Sequence, residues 1–397
     1  MRLADRVGRI QPSATLAIAA KAKAMKAAGV DVIGFGAGEP DFDTPAHIKE
    51  AAVRALADGF TKYTPVGGTE ELRDSIARRV RADYGLAYGR SQVIVCCGAK
   101  QALYNAAVAL FQQGDEVLIP APYWVSYPEI LALVDAVPVF LPTGEEQGFK
   151  VRARQLQEAI TPRTRALILN SPSNPTGAVY LRHELEEIAQ VVREAGIFVI
   201  SDEIYDKLVY GEVRPIPLAA LGEDLSGRTL LVNGVSKTYA MTGWRIGYAL
   251  GPEDLISAME KVQGQSTSNP TSMAQKAAVA ALDGPQECVE EMVREFDRRR
   301  RFMVSRLNQM DGISCYEPQG AFYVFPRVDA YFGRRGGGKV IRGSADMAEY
   351  LLTEAGVAVV AGEPFGSDAH IRLSFALSME EIEDGLDRME KALLKLR

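Results

Sequence analysis

The segment Ala166-Leu-Ile-Leu-Asn170-Ser-Pro-Ser-Asn174-Pro-Thr-Gly177 decides the fold. Its first five residues read as a buried strand, and the Pro/Asn/Gly cluster after them reads as a turn. Helical periodicity follows over His183–Glu194. A second apolar run, Phe198–Ser201, then leads into Ser201-Asp202-Glu203-Ile204-Tyr205. Strand, helix, strand at this spacing is the unit of a parallel sheet. Working outward, Val93–Cys97, Glu116–Ile119, Thr229–Asn233 and Ile246–Leu250 read as further strands, and Lys100–Leu110 as a helix. Several are unbroken apolar runs, as in strands covered on both faces. The expectation is an α/β fold with a largely parallel sheet between helices.

The last third changes character. A long charged helix, Cys288–Met310, leads to Ala321–Phe325, a Gly/Arg loop, a helix near Ala345–Ala355, and strands Val357–Val360 and Ile371–Phe375. This predicts a smaller α+β domain completed by the N-terminal segment. The expected division is 1–44 as that segment, 45–285 as the large domain and 286–397 as the small one, the boundary falling near Asp283–Glu287.

A chain of 397 residues can bury the cores of two domains. It is 47% apolar and 24% charged, and its net charge of −6 is not concentrated in any block. That argues against nucleic acid or a membrane surface as partner. Four cysteines, Cys96, Cys97, Cys288 and Cys315, form no CxxC pair and no disulfide framework, so a reduced cytoplasmic chain is expected. The apolar stretch Leu16–Ala20 is interrupted at once by Lys21 and Lys23, too short for a signal-peptide core. No run approaches the ~18 apolar residues of a membrane helix.

Three patterns are decoys. Gly34-Phe-Gly-Ala-Gly38 lacks the third glycine of a dinucleotide loop, and Pro40 stands where the helix would start. Gly333-Arg-Arg-Gly-Gly-Gly-Lys339 matches part of a P-loop, but Val340 replaces the magnesium-binding hydroxyl. His47, His183 and His370 lie in quite different elements, so neither a zinc site nor a Ser-His-Asp triad is expected, and no metal.

The chemistry lies in an ordered series. The turn with Asn174 ends one strand, Asp202 and Tyr205 follow the next, Ser236-Lys237 follows Thr229–Asn233, and Arg245 comes eight residues later. Strand ends converging on one edge of a parallel sheet are where α/β folds build their sites. Taken singly, each has an ordinary explanation: Asp202 a helix cap, Asn174-Pro175 a turn, Lys237 a surface amine, Arg245 an ion-pair partner.

Taken together, Asn174-Pro-Thr-Gly177, Asp202-Glu-Ile-Tyr205 and Ser236-Lys237-Thr-Tyr-Ala-Met-Thr-Gly-Trp-Arg245 resemble the class I aminotransferases, pyridoxal-phosphate enzymes of fold type I. The resemblance runs from Pro12-Ser-Ala-Thr15 to Arg372. It implies a mostly parallel seven-stranded sheet sandwiched by helices, plus the smaller domain. It makes Lys237 the amine that carries the cofactor and moves the substrate's Cα proton. Asp202 would pair with the pyridine nitrogen, and Tyr205 and Asn174 with the ring's 3′ oxygen. Gly98-Ala99-Lys100 opens a helix whose N–H groups can face the phosphate, helped by Ser236 and Arg245. Trp124 matches the aromatic stacked on the ring, whereas Tyr123 and Tyr127 read as core packing. Tyr63, in Lys62-Tyr-Thr-Pro65, matches a tyrosine that reaches the neighbouring subunit's phosphate, which implies a homodimer.

For the substrate, the resemblance assigns Arg372 to the α-carboxylate, with Gly38 approaching through its backbone. The stretch Val262–Asn269 has no arginine for a second carboxylate. Ala99-Lys100-Gln101 instead resembles the bacterial aspartate aminotransferase subgroup, in which Lys100, Ser13 and Thr15 would meet that group. Some members also aminate prephenate, often with a basic residue where Gln11 stands here. The expected reaction is transamination of L-aspartate with 2-oxoglutarate. Alternatives are a preference for aromatic or neutral amino acids or prephenate, and a C–S lyase on the same fold. A transcription regulator built on this domain carries an N-terminal helix-turn-helix, for which the pattern starting near residue 12 leaves no room.

Overall fold

The computed structural model describes residues 3–397, so residues 1–2 of the expected N-terminal segment lie outside the described residues. Seven strands form the main sheet: β1 Val93–Cys96, β2 Glu116–Ala121, β3 Val137–Pro142, β4 Thr164–Asn170, β5 Phe198–Asp202, β6 Thr229–Gly234 and β7 Gly247–Leu250. Their order across the sheet is β1-β7-β6-β5-β4-β2-β3. β3, β2, β4, β5 and β6 run parallel, and β7 alone is antiparallel to both its neighbours. This is the fold-type I α/β architecture. The interior strands β6 and β7 are buried along their whole length, as expected where helices cover both faces of a sheet. Each fully buried Val, Leu or Ile contributes roughly 1.5–3 kcal/mol, and Leu167, Val199, Leu230 and Leu231 are all at 0% exposure.

β3 did not stand out in the sequence. It is an edge strand, in which Leu141 alone is buried, and holds Pro138 and Pro142, which only an edge tolerates.

Register places the chemistry. Asn170 pairs with Asp202, and Asp202 with Val232. The turn after β4, the Glu203–Tyr205 segment after β5 and the Val235–Lys237 segment after β6 therefore leave the sheet side by side.

The rest of the chain builds smaller sheets. Ile371–Ser374 pairs antiparallel with both Tyr323–Val324 and Val360–Ala361. Val357–Ala358 pairs parallel with Ile33–Gly34. The single strand expected over Val357–Val360 is thus two short ones, each drawn to a different partner, and the apolar stretch Ala321–Phe325 contains the short strand Tyr323–Val324. The Gly/Arg loop is a hairpin, Arg335–Gly336 against Lys339–Val340, turning at Gly337 and Gly338 with φ of +56° and +78°. Helix Glu287–Gln309 joins the two parts: Val289 and Met292 pack in the main-sheet core, and Phe296, Met303 and Leu307 in the smaller one. Among the described residues no helix is long and apolar enough to cross a membrane.

Candidate active site

The converging strand ends open into a cavity of about 400 Å³. Lys237, Asp202, Tyr205, Asn174, Ser236 and Arg245 all line it, as do Ala99 and Lys100 from the start of helix Ala99–Leu110 and Trp124 from the loop before helix Ser126–Leu133. From outside the main sheet come Gly38, Arg372, Ser13 and Thr15. Four cations (Lys100, Lys237, Arg245 and Arg372) face two carboxylates, Glu39 and Asp202. The cavity therefore favours a ligand with several negative charges.

Asp202 ends β5 with 3% exposure. Its Oδ2 accepts the Tyr127 hydroxyl at 2.7 Å, and its Oδ1 accepts the Ile204 N–H at 3.2 Å. Burial nevertheless outweighs these donors and the nearby Lys237 charge, and pushes the carboxyl up to about 6. A buried cation or charged N–H in the cavity would offset that burial, and among the described residues Asp202 has no ion pair.

Lys237 follows β6 by three residues and donates its Nζ to the Gly38 carbonyl at 2.5 Å. Burial brings its amine down to about 8. Glu39 opposes the shift, Arg372 and Arg245 add to it, and Asp202 opposes it. An amine poised there can act as nucleophile and base near neutrality.

The anion cradle is built from glycines and one strained arginine. Gly98, at φ +90°, precedes helix Ala99–Leu110, whose first turn has no side-chain cap. A Cβ on Gly98 would stand 2.3 Å from Nη2 of Arg245. A Cβ on Gly247 would stand 2.1 Å from the Ala99 nitrogen. Only glycine at both positions lets the free N–H groups, the guanidinium and Ser236 share one small space. Arg245 itself sits at φ +57°, a left-handed conformation costing on the order of 1–3 kcal/mol and typical of functional sites. It is held there by bonds to the Thr242 and Cys97 carbonyls.

Arg372, in strand Ile371–Ser374, is 1% exposed. Nη1 donates to Asn174 Oδ1 at 2.9 Å and Nη2 to the Gly36 carbonyl at 3.1 Å. Its guanidinium lies 4.3 Å from the Tyr323 ring centre. Among the described residues Nε has no partner. A buried guanidinium with neutral partners costs several kcal/mol unless an anion completes it, so the geometry suits a carboxylate. With Oδ1 of Asn174 committed to Arg372, Nδ2 is the donor left for a second oxygen.

Ser13 and Thr15 begin helix Ala14–Ala27, their hydroxyls 2.8 Å apart. Lys100 stands 4.8 Å from the Trp124 ring centre. Tyr63 is outside this cavity, 92% exposed on the same chain.

Several lining residues did not stand out in the sequence. Tyr127 is the correction: it is buried as a core residue would be, yet its hydroxyl is committed to Asp202. Tyr123 does pack as expected, stacked on Phe140 at 4.7 Å. Tyr323 contributes its ring to Arg372 and its hydroxyl to Tyr205 at 3.0 Å. Glu39 accepts from Thr242 at 2.7 Å. Asn170 donates to the Asp202 carbonyl and accepts from the Asn174 N–H, both at 2.9 Å, fixing the turn beside the aspartate. A polar residue ending an apolar run was the one available signal, and it pointed to Asn170.

Sheet, cavity and convergent lysine and aspartate together define an enzyme of the fold-type I α/β class. The pattern of the family "Aminotransferase class I and II" matches residues 30–389. The chain is 49% identical to the aspartate aminotransferase of Geobacillus stearothermophilus, over 98% of both chains. It is 46% identical to the aspartate/prephenate aminotransferase of Nitrosomonas europaea, over 99% of this chain and all of that one. The crystal structure of the aspartate aminotransferase from Rhizobium meliloti superposes with a TM-score of 0.96 at 45% identity over the whole of both chains. That of the Thermus thermophilus enzyme with maleate superposes at 0.93 and 43% identity, over 99% and 100%. The chain belongs to the class I and II aminotransferase family, and it is an aminotransferase.

Proposed function

We propose that the chain transfers the amino group of L-aspartate to 2-oxoglutarate, giving oxaloacetate and L-glutamate, with pyridoxal 5′-phosphate as cofactor. The observation that carries this reading is that Lys237 and Asp202, at neighbouring strand ends, open into one cationic cavity with a glycine-walled anion cradle at one side and Arg372 at the other. Relatives that bear the aspartate name, and a solved relative holding a four-carbon dicarboxylate, support the choice of substrate.

When bound, the cofactor supplies an electron-accepting ring that takes up the electron pair left at the substrate's Cα. Its phosphate would be held by the Ala99 and Lys100 N–H groups, Ser236 and Arg245, and its ring nitrogen by Asp202. Trp124 would pack against the ring, and Tyr205 and Asn174 would donate to its oxygen. Lys237 Nζ would hold the cofactor at rest and then take the proton from Cα. Arg372, the Asn174 side chain and the Gly38 backbone orient the α-carboxylate so that the Cα–H faces Lys237. Lys100, Ser13 and Thr15 receive the side-chain carboxylate. Gln11, whose N–H is bound to Glu129 at 2.7 Å, does not line the cavity.

We further assign 1–44 and 286–397 to a small domain that closes over the large domain, 45–285, and excludes water. The protein acts as a cytoplasmic homodimer in which the exposed Tyr63 completes the partner's phosphate site. A donor series with 2-oxoglutarate tests the substrate: aspartate should exceed alanine, tyrosine and phenylalanine in kcat/KM. A higher value for an aromatic or neutral donor would replace this reading, as would pyruvate release from cystathionine in place of transamination.

A further inference from the structure

A second cavity, of about 790 Å³, shares no lining residue with the first. One wall comes from the main-sheet part of the chain, including Arg182, Lys207 and Arg214. The other comes from the first turns of helix Glu287–Gln309, including Val289, Val293 and Arg294. It therefore spans the junction between the two parts of the molecule.

Its charges do not cancel. Five basic residues line it, against Asp83, Asp206 and Glu290. Asp83 is shared by Arg79 and by Lys207, the latter at 2.8 Å. Asp206 accepts the Tyr84 hydroxyl, and burial raises its carboxyl. Three guanidinium groups are left weakly engaged. Arg182 meets Glu186 of its own helix at 3.6 Å, and Arg294 meets Glu290 at 3.9 Å, all four side chains more than half exposed. Such pairs are worth little. Among the described residues Arg214 donates only to main-chain carbonyls of its own loop, those of Gly211 and Val213. Between the arginines the wall is hydrocarbon: Val209, Pro215, Ile216, Val289 and Val293. Arginine forks and an apolar wall lining one cavity are what a small organic anion needs, the charge fixing its head and the wall desolvating its body.

We propose that this cavity is a second ligand site, separate from the catalytic one, for a small organic phosphate or carboxylate. Its anionic group is held by Arg182, Arg214 and Arg294, and its hydrocarbon body lies against Ile216, Val289 and Val293. The site does not depend on the identity of the amino donor.

Calorimetry on the pyridoxal-phosphate-loaded protein tests it, with phenyl phosphate as probe, inorganic phosphate to remove the apolar part and phenol to remove the charge. Phenyl phosphate should bind one per chain and more tightly than either control. Arg214→Ala and Arg294→Ala, both exposed positions outside the catalytic cavity, should each weaken it about tenfold, the effect of losing roughly one charge-assisted contact. Both variants should keep full transaminase activity, which also shows them folded, and Arg372→Ala should bind the probe as the parent does. No saturable heat would overturn the site. So would binding indifferent to Arg214 and Arg294, or binding lost in Arg372→Ala, which would place the probe in the catalytic cavity instead.

Discussion

Tyr127 gives its hydroxyl to Oδ2 of Asp202 at 2.7 Å, both side chains almost fully buried at the wall of the cavity. Burial raises this carboxyl to about 6, and Tyr127 is the largest of the effects holding it down. Tyr127→Phe removes a donor to the ionised form, so the carboxyl must rise further. The working form of Asp202 is the anion, so function is lost on the acid side. The acid limb of cofactor binding, set near 6 in the parent, should move up by about one to two units, since a hydrogen bond to a charged group contributes about 1.5–3 kcal/mol. Titrating cofactor-free protein with pyridoxal 5′-phosphate across pH 5–8 measures it; an unmoved limb would mean that Tyr127 only fills space.

Lys237 is brought down to about 8. The neutral amine is the nucleophile, so the rate at which cofactor-free protein takes up pyridoxal 5′-phosphate covalently should climb through pH 8 and level off above it. Stopped-flow absorbance follows this directly. A rate still rising tenfold per unit at pH 9–10 would indicate an amine with the ordinary lysine value.

Arg372 presents a planar fork from a buried position. Arg372→Lys keeps the charge and loses the second parallel bond. A drop of about a hundredfold in kcat/KM for aspartate is expected, equivalent to about 2.7 kcal/mol. Steady-state kinetics should show it, with the cofactor spectrum unchanged. A loss of cofactor instead would move Arg372 out of the substrate site.

Gly98→Ala should weaken cofactor binding. The position has φ +90° and ψ 159°, which only glycine adopts at low cost, and the new methyl would lie against Arg245 Nη2. A strain of about 1–3 kcal/mol corresponds to a roughly fivefold to hundredfold rise in Kd. Equilibrium dialysis of the cofactor measures it, and a Kd within twofold of the parent would remove Gly98 from the cradle.

What was legible in the sequence follows from what each signal depends on. Interior strands are covered on both faces, so β4, β5 and β6 read as apolar runs, and their chemistry-bearing residues stand just past the ends of those runs. β3 was not legible, because a largely exposed edge strand interrupted by two prolines carries no such run. The site residues that escaped are those whose role depends on a distant partner. Tyr127 meets Asp202 across 75 positions, Tyr323 meets Tyr205 across 118, and Glu39 meets Thr242 across 203. A tyrosine in an apolar surround looks the same in sequence whether its hydroxyl is idle or engaged. Gly247 escaped for a related reason: its missing side chain matters only because the Ala99 nitrogen from another element passes 2.1 Å from where a Cβ would be.

The proposed chemistry rests on one amine. Two lysines, Lys237 and Lys100, line the same cavity, and only the first has Asp202 among the charges that act on it. Borohydride reduction of the pyridoxal-phosphate-loaded protein, followed by peptide mass spectrometry, reads which amine carries the cofactor. The account predicts a pyridoxyl group on Lys237 at one per chain, and a label on Lys100, or on no lysine of this cavity, would contradict it.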